Sequence, residues 1–335
     1  SPSMQHCSPF IQVANLSEEH DKTINCLSFS DDGCLLASGG DDRKLVVWDP
    51  AQGKPKCRVI FETSIDTLLW HPIYSGSLIV GLGSGDLQQL SGFDSLCDYQ
   101  QAEIRLGAKE AIHCMAYDTT TRCLAVGMGG RVYVTRECQR NVYAGVVSLP
   151  DPLSRSGDVR EGPTEARSSA KKVIAMDVSF HNEGKNLIVS YVFHGIVCWD
   201  ISGQRRVWKI SPAVATPTIA GASLFAPLRL LAVYNATSGI DVYHIAYHGK
   251  QAPRKTYALD ERPQSKHHLP VLFINKGAQI FCGTTNGNVR VWDVASGNIF
   301  QDLHHDSTSL SCLLCNLYLP QRFVRRSCTS DQREY

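Results

Sequence analysis

The chain has 335 residues, 33 of them basic and 32 acidic, for a net charge of +1 at neutral pH. That balance argues against a general nucleic-acid binder, which carries a basic field to displace phosphate counterions. With 43% apolar, 8% aromatic and 19% charged residues, and no apolar run approaching the ~18 residues of a membrane-spanning helix, the composition is that of a soluble globular protein.

Residues 1–10 have neither the basic nor the apolar region of a signal peptide. A cytoplasmic or nuclear location is therefore expected, and the thirteen cysteines read as reduced, small apolar filler rather than a disulfide framework. Beginning at Ser1 instead of Met suggests a fragment or a processed product. The two Asn-x-Ser/Thr sequences, at Asn15 and Asn235, are chance matches if there is no secretory route.

In chain order, 10–16 (Phe10, Ile11, Gln12, Val13, Ala14, Asn15, Leu16) is a short alternating strand. A strand, an Asp32-Gly33 turn, a second strand ending near Gly39 and Gly40, a second turn at Asp41 and Asp42, and a third strand ending in Trp48-Asp49 follow. Further Trp-Asp pairs occur at Trp199-Asp200 and Trp292-Asp293, and weaker copies of the unit end near Leu90, Val134 and Tyr243. Positions 48, 90, 134, 199, 243 and 292 are spaced 42, 44, 65, 44 and 49 residues apart. Four of these intervals sit near the ~40–45-residue period of a four-stranded propeller blade. The long interval contains 150–172, rich in Ser, Gly, Pro and charge, which reads as an inserted flexible loop.

These repeats resemble the WD40 family, from about Phe10 to the C-terminus. The resemblance implies an all-β propeller of four-stranded antiparallel blades around a central channel. One domain is expected over 10–335, with blades near 20–60, 61–106, 107–149, 173–212, 213–259 and 267–303. A seventh, poor blade would come from 304–335 plus the 10–16 strand, which would close the ring. Six blades are the alternative, because 321–335 is too charged for a good strand pair, with Arg322, Arg325, Arg326, Asp331, Arg333 and Glu334.

By the same resemblance, His20, Ser38, Asp42 and Trp48 occupy the places of the family's hydrogen-bonded tetrad. The sixth unit has Cys282 and Asn286 where Ser and Asp would stand, the fourth keeps only Trp199-Asp200, and the others lack the Trp.

No catalytic or metal constellation is legible. Cys26, Cys114 and Cys312 recur at one point of the repeat, as packing residues do. Cys312 and Cys315 have Cys-x-x-Cys spacing without a second pair, and residues three apart on a strand face opposite ways. Gly81-Leu82-Gly83-Ser84-Gly85 leads into a strand rather than the helix that would hold a phosphate, so it reads as a turn between strands. The histidines at 267–268, 304–305, 244 and 248 read as loop residues. No enzyme activity, cofactor or metal is expected.

The family resemblance makes the face bearing the second-to-third-strand turns and the inter-blade links the partner-binding platform. Thr23, Asn25, Asp41, Ser64, Asp66, His113 and Thr218 are its candidate residues, and the inserted loop should project from the same face. The basic stretch 248–268 could meet an acidic partner. The expected function is a non-catalytic scaffold that binds a protein or peptide, as part of a multiprotein complex, with no membrane or nucleic-acid role. The alternative is a substrate receptor of a ubiquitin ligase. That docking signature places Arg two residues beyond the Trp-Asp pair, where this chain has Ala51, Ser202 and Ala295.

Overall fold

The structure is a computed structural model that describes residues 9–11, 16, 18–94, 98–153, 171–211, 218–245, 252–259, 270–284 and 288–304. Twenty-four strands form six sheets of four. The first blade consists of β1 (Ile24–Phe29), β2 (Leu36–Gly40), β3 (Lys44–Asp49) and β4 (Lys54–Ile60). The second consists of β5 (Ile65–Trp70), β6 (Ser77–Leu82), β7 (Leu87–Ser91) and β8 (Gln100–Glu103). The third has β9 (Ile112–Asp118), β10 (Cys123–Met128), β11 (Arg131–Gln139) and β12 (Val142–Ser148). The fourth has β13 (Ala175–His181), β14 (Asn186–Tyr191), β15 (Gly195–Asp200) and β16 (Arg205–Ile210). The fifth is built from β17 (Ile219–Phe225), β18 (Leu230–Asn235), β19 (Gly239–His244) and β20 (Lys255–Tyr257). The sixth is built from β21 (Val271–Ile274), β22 (Gln279–Gly283), β23 (Val289–Asp293) and β24 (Ile299–Leu303).

Every sheet is an antiparallel meander in chain order, so each turn joins neighbours. The six repeat positions, from Trp48 to Trp292, all fall in third strands. Consecutive first strands contact one another, β1 with β5 and so on to β17 with β21, which places them innermost. Second strands are covered on both faces. They are buried at every position in β2, β6, β18 and β22, and each reads in the sequence as a mainly apolar run with one buried polar residue, Ser38, Ser77, Asn235 or Gln279. The outer strand β4 instead alternates, with Cys57 and Val59 buried between exposed Lys56, Arg58 and Ile60.

Each seam between consecutive blades holds one apolar cluster. Val47 and Val59 meet Ile65 and Leu78 across the first seam, and Ile79 and Leu87 meet Ile112 and Leu124 across the second. Val134 meets Val189 and Trp199, Ile210 meets Ile219 and Leu231, and Tyr234 meets Ile280 and Trp292 across the next three. Glycine sets the spacing of the first seam. A β-carbon on Gly39 would stand 2.9 Å from the Ile65 β-carbon, a distance no side chain tolerates without displacing the next blade.

Six blades, not seven, are formed by the described residues. The seventh was inferred from period arithmetic, which counts residues and not ladder partners; the charge-rich 321–335 offers no alternating pattern to pair. Residues 305–335 and 12–15 lie outside the described residues, as do 154–170 of the inserted loop, Cys312, Cys315, and most of 248–268. Phe10 is seated on the sixth blade. Its amide donates to Gln301 Oε1 at 2.7 Å, its carbonyl accepts from Gln301 Nε2 at 2.9 Å, and its ring meets Phe300 edge-on at 6.2 Å. Among the described residues, no helix is long and apolar enough to cross a membrane.

Candidate interaction face

The tetrad residues form one hydrogen-bonded chain in the first blade. Trp48 Nε1 donates to Ser38 Oγ at 2.8 Å, His20 Nε2 lies 2.7 Å from the same oxygen, and His20 Nδ1 lies 2.9 Å from Asp42 Oδ2. Asp42 also accepts from the amides of Asp21 and Lys44. Burial alone would raise the Asp42 pKa, but the Lys44 amide and the His20 ring hold it below the usual value. The chain ties the entry segment to the turn after β2. In the fourth blade, Val189 takes the place of Ser38, and buried Trp199 Nε1 has no hydrogen-bond partner.

A second recurring bond rings one end of the innermost strands. The residue that follows each second strand, or its last residue, donates its amide to the carbonyl just before the same blade's first strand. The pairs are Asp41 to Thr23, Gly83 to Ser64, Gly129 to Ala111, Val192 to Ile174, Ala236 to Thr218 and Gly283 to Pro270, at 2.9–3.2 Å. Thr23, Ser64 and Thr218 of the sequence-derived set are therefore backbone acceptors at this mouth, and Asp41 is a donor.

The other candidates are brought to the same end by β-bulges. Each of the first three inner strands shifts register by one residue, at Asn25, Asp66 and His113. An extra residue in one strand is re-aimed out of the pleat. Asn25 Nδ2 donates to Asp41 Oδ1 at 2.7 Å and to the Ile65 carbonyl at 3.2 Å, and Ser64 Oγ donates to Asp66 Oδ1 at 2.8 Å. Burial raises the Asp66 pKa, the Ser64 bond opposes this, and the like charge of Asp41 adds to it. Burial lowers the His113 pKa, helped by Lys172. Its Nε2 is buried with no hydrogen-bond partner. Among the described residues, no cation is ion-paired to Asp41 or Asp66. The mouth thus has unpaired carboxylates at blades one and two and a basic side at Lys172.

The same bulge recurs at Met176 and Ala220 in the fourth and fifth blades. Sequence reasoning missed these two, although aligning the repeat on Asn25 would have found them. It also missed a buried polar cluster between blades two and three. Glu137 Oε2 accepts from Tyr117 Oη at 2.6 Å and Arg122 at 3.2 Å and lies 3.2 Å from His71 Nε2, while Oε1 accepts the Asn141 amide at 3.1 Å. His71 Nδ1 accepts the amides of Ile73 and Tyr74. Burial keeps the His71 ring neutral against the pull of Glu137. Among the described residues, no three His, Cys, Asp or Glu side chains gather as a metal site.

Comparison with known proteins follows the same lines. The family model "WD domain, G-beta repeat" matches residues 12–49, which contain His20, Ser38, Asp42 and Trp48. The mouse and human proteins named "WD and tetratricopeptide repeats protein 1" are each 45% identical to this chain over 49 residues. That stretch is 14% of this chain and only 7% of theirs. "Ribosome biogenesis protein ERB1" of Yarrowia lipolytica is 30% identical over 90 residues, 24% of this chain and 11% of that protein. Among solved structures, the β-propeller domain of Cps50 (Swd1) from Myceliophteria thermophila aligns with a TM-score of 0.62 at 13% identity. The alignment covers 82% of this chain and 85% of that one, a likeness of fold alone. The first blade thus carries a match to the WD40 repeat, and with five further four-stranded blades of the same build the chain has the fold of a β-propeller.

Proposed function

We propose that this propeller is a non-catalytic scaffold that binds a partner protein or peptide on the face carrying the second-to-third-strand turns. The observation that supports this most directly is the convergence of Asn25, Asp41, Ser64, Asp66 and His113 on one mouth, with Asp41 and Asp66 unpaired by any described cation. Asp66, half-buried without a counter-charge, carries a desolvation cost that an incoming cationic group relieves, and the exposed carboxylate of Asp41 adds to the attraction. Membership in a multiprotein complex and a cytoplasmic or nuclear location belong to the same proposal.

Affinity purification of the full chain followed by mass spectrometry tests it, run in parallel with a D41K/D66K double variant. Partners captured by the parent chain and lost by the double variant support the reading. An identical set of partners from both removes it. A cullin adaptor among the partners would favour the ubiquitin-ligase receptor role instead, for which Ala51, Ser202 and Ala295 offer no support.

A further inference from the structure

A cavity of about 340 Å³ opens on the same face, between the turn after β6 and the link from β8 to β9. Its floor is apolar, formed by Leu87, Ile104, Leu106, Ala108 and Met128. The charges at its edge cancel in pairs. Lys109 Nζ meets Asp86 Oδ1 at 2.5 Å and Arg105 Nε meets Glu103 Oε2 at 2.9 Å. The volume is at the low end of the ~300–1,000 Å³ range of small-molecule pockets, so it suits one large side chain better than a cofactor.

The cavity and the acidic mouth share one short turn. Gly85 lines the cavity. Two residues earlier, Gly83 lies against both Asp66 carboxylate oxygens, 3.4 and 3.6 Å from where a β-carbon would stand, and that β-carbon would come within 2.3 Å of Ser64 Oγ, so glycine keeps the turn close to the Ser64–Asp66 pair. Two residues of chain span at most about 7 Å, and an extended peptide advances ~3.3–3.6 Å per residue. A ligand strand crossing this turn therefore reaches from the cavity to Asp66 in two to four residues.

We infer that the partner docks through a short peptide segment that places an apolar side chain in this cavity and a lysine or arginine, two to four residues away, against Asp66 and Asp41. The assignment rests on the interaction-face reading above. Charge selects the ligand. The cavity's own ions are satisfied, whereas the neighbouring carboxylates are not, so an apolar group alone would fill the pocket and leave the mouth unpaired.

The test is to pan a random dodecapeptide display library against the full chain and to synthesise the most enriched sequence. The expected sequences pair Leu, Ile, Met or Phe with Lys or Arg at that spacing. Binding should fall at least about tenfold in A108W, which fills the cavity, and about threefold or more in D66N, with weaker salt dependence. Bound peptide should also protect the amides of 104–109 in the parent chain, a readout independent of whether A108W folds. A peptide that D66N weakens but that ignores A108W and leaves those amides unprotected would overturn the inference while sparing the face. Binding indifferent to D66N and to D41K/D66K would remove the face reading as well. Failure of any sequence to enrich would count against the peptide site.

Discussion

Trp48 donates its indole N–H to Ser38 Oγ at 2.8 Å, whereas Trp199, at the same point of the fourth blade, has Val189 beside it and leaves that N–H buried and unbonded. Exchanging each for phenylalanine keeps an aromatic ring but removes the N–H. The first exchange strands Ser38 and His20; the second removes a group that had no partner. Trp48→Phe should therefore cost at least about 1 kcal/mol more than Trp199→Phe, as read by urea denaturation at neutral pH. Equal losses would mean that the tetrad adds no net stability.

Glu137 is the hub between blades two and three. Replacing it with alanine leaves Tyr117, Arg122 and His71 without their common acceptor in a site where the His71 and Glu137 side chains are fully buried. Breaking a buried ionic hub by removing one partner costs about 3–5 kcal/mol. A melting temperature within a few degrees of the parent would contradict this.

His71 contributes an acid limb to stability. Its folded pKa is depressed by burial, so the ring stays neutral in the fold while the unfolded chain takes up a proton below its ordinary value of about 6.5. Stability should then fall as pH drops below that value, and H71Q should show a shallower fall. His113, His181 and His194 are shifted the same way, so part of the limb should survive in the variant. An unchanged slope in H71Q would exclude His71 as a contributor.

Asp177, on the innermost strand of the fourth blade, works in the opposite sense. Burial pushes its carboxyl up to about 7 against one hydrogen bond from Ser179. Its contribution is fully present below the unfolded value of about 3.9 and is lost as pH rises through about 7. Asp177→Asn should be more stable than the parent at pH 8 by at least about 1 kcal/mol, with the advantage vanishing at pH 4. Equal stability at pH 8 would show that the carboxylate is not held against its charge.

Gly39 tests the seam rather than the site. Gly39→Val should shift the second blade and cost several kcal/mol, at the upper end for overpacking, while the equally apolar change Ile60→Val on the exposed outer strand should be nearly silent. Comparable effects would mean that the inter-blade distance is set elsewhere.

Much of this was legible because the repeat carries it. Blade order, the third-strand positions from Trp48 to Trp292, and the gathering of Asn25, Asp66 and His113 all follow from one periodic pattern of strands and turns. What the pattern could not convey depends on partners far apart in the chain. His71 and Glu137 are 66 residues apart and belong to different blades, so no spacing announces them. Whether a charged tail completes a blade is decided by hydrogen-bond partners, and for that the interval between tryptophans carries no information. The apolar cavity was invisible for a related reason. Leu87, Ile104 and Met128 read simply as core, and the space among them exists only because two loops meet above it.

The clasp between Phe10 and Gln301 spans 291 residues of chain. At a synthesis rate of ~5–20 residues per second, the N-terminal segment waits roughly 15–60 s for the side chain that holds it. The first blade can pair its own four strands at once, because its contacts are local. The clasp therefore forms only once the sixth blade has been made, and the N-terminal segment left unseated during that interval is where a nascent chain of this kind is most open to misassembly.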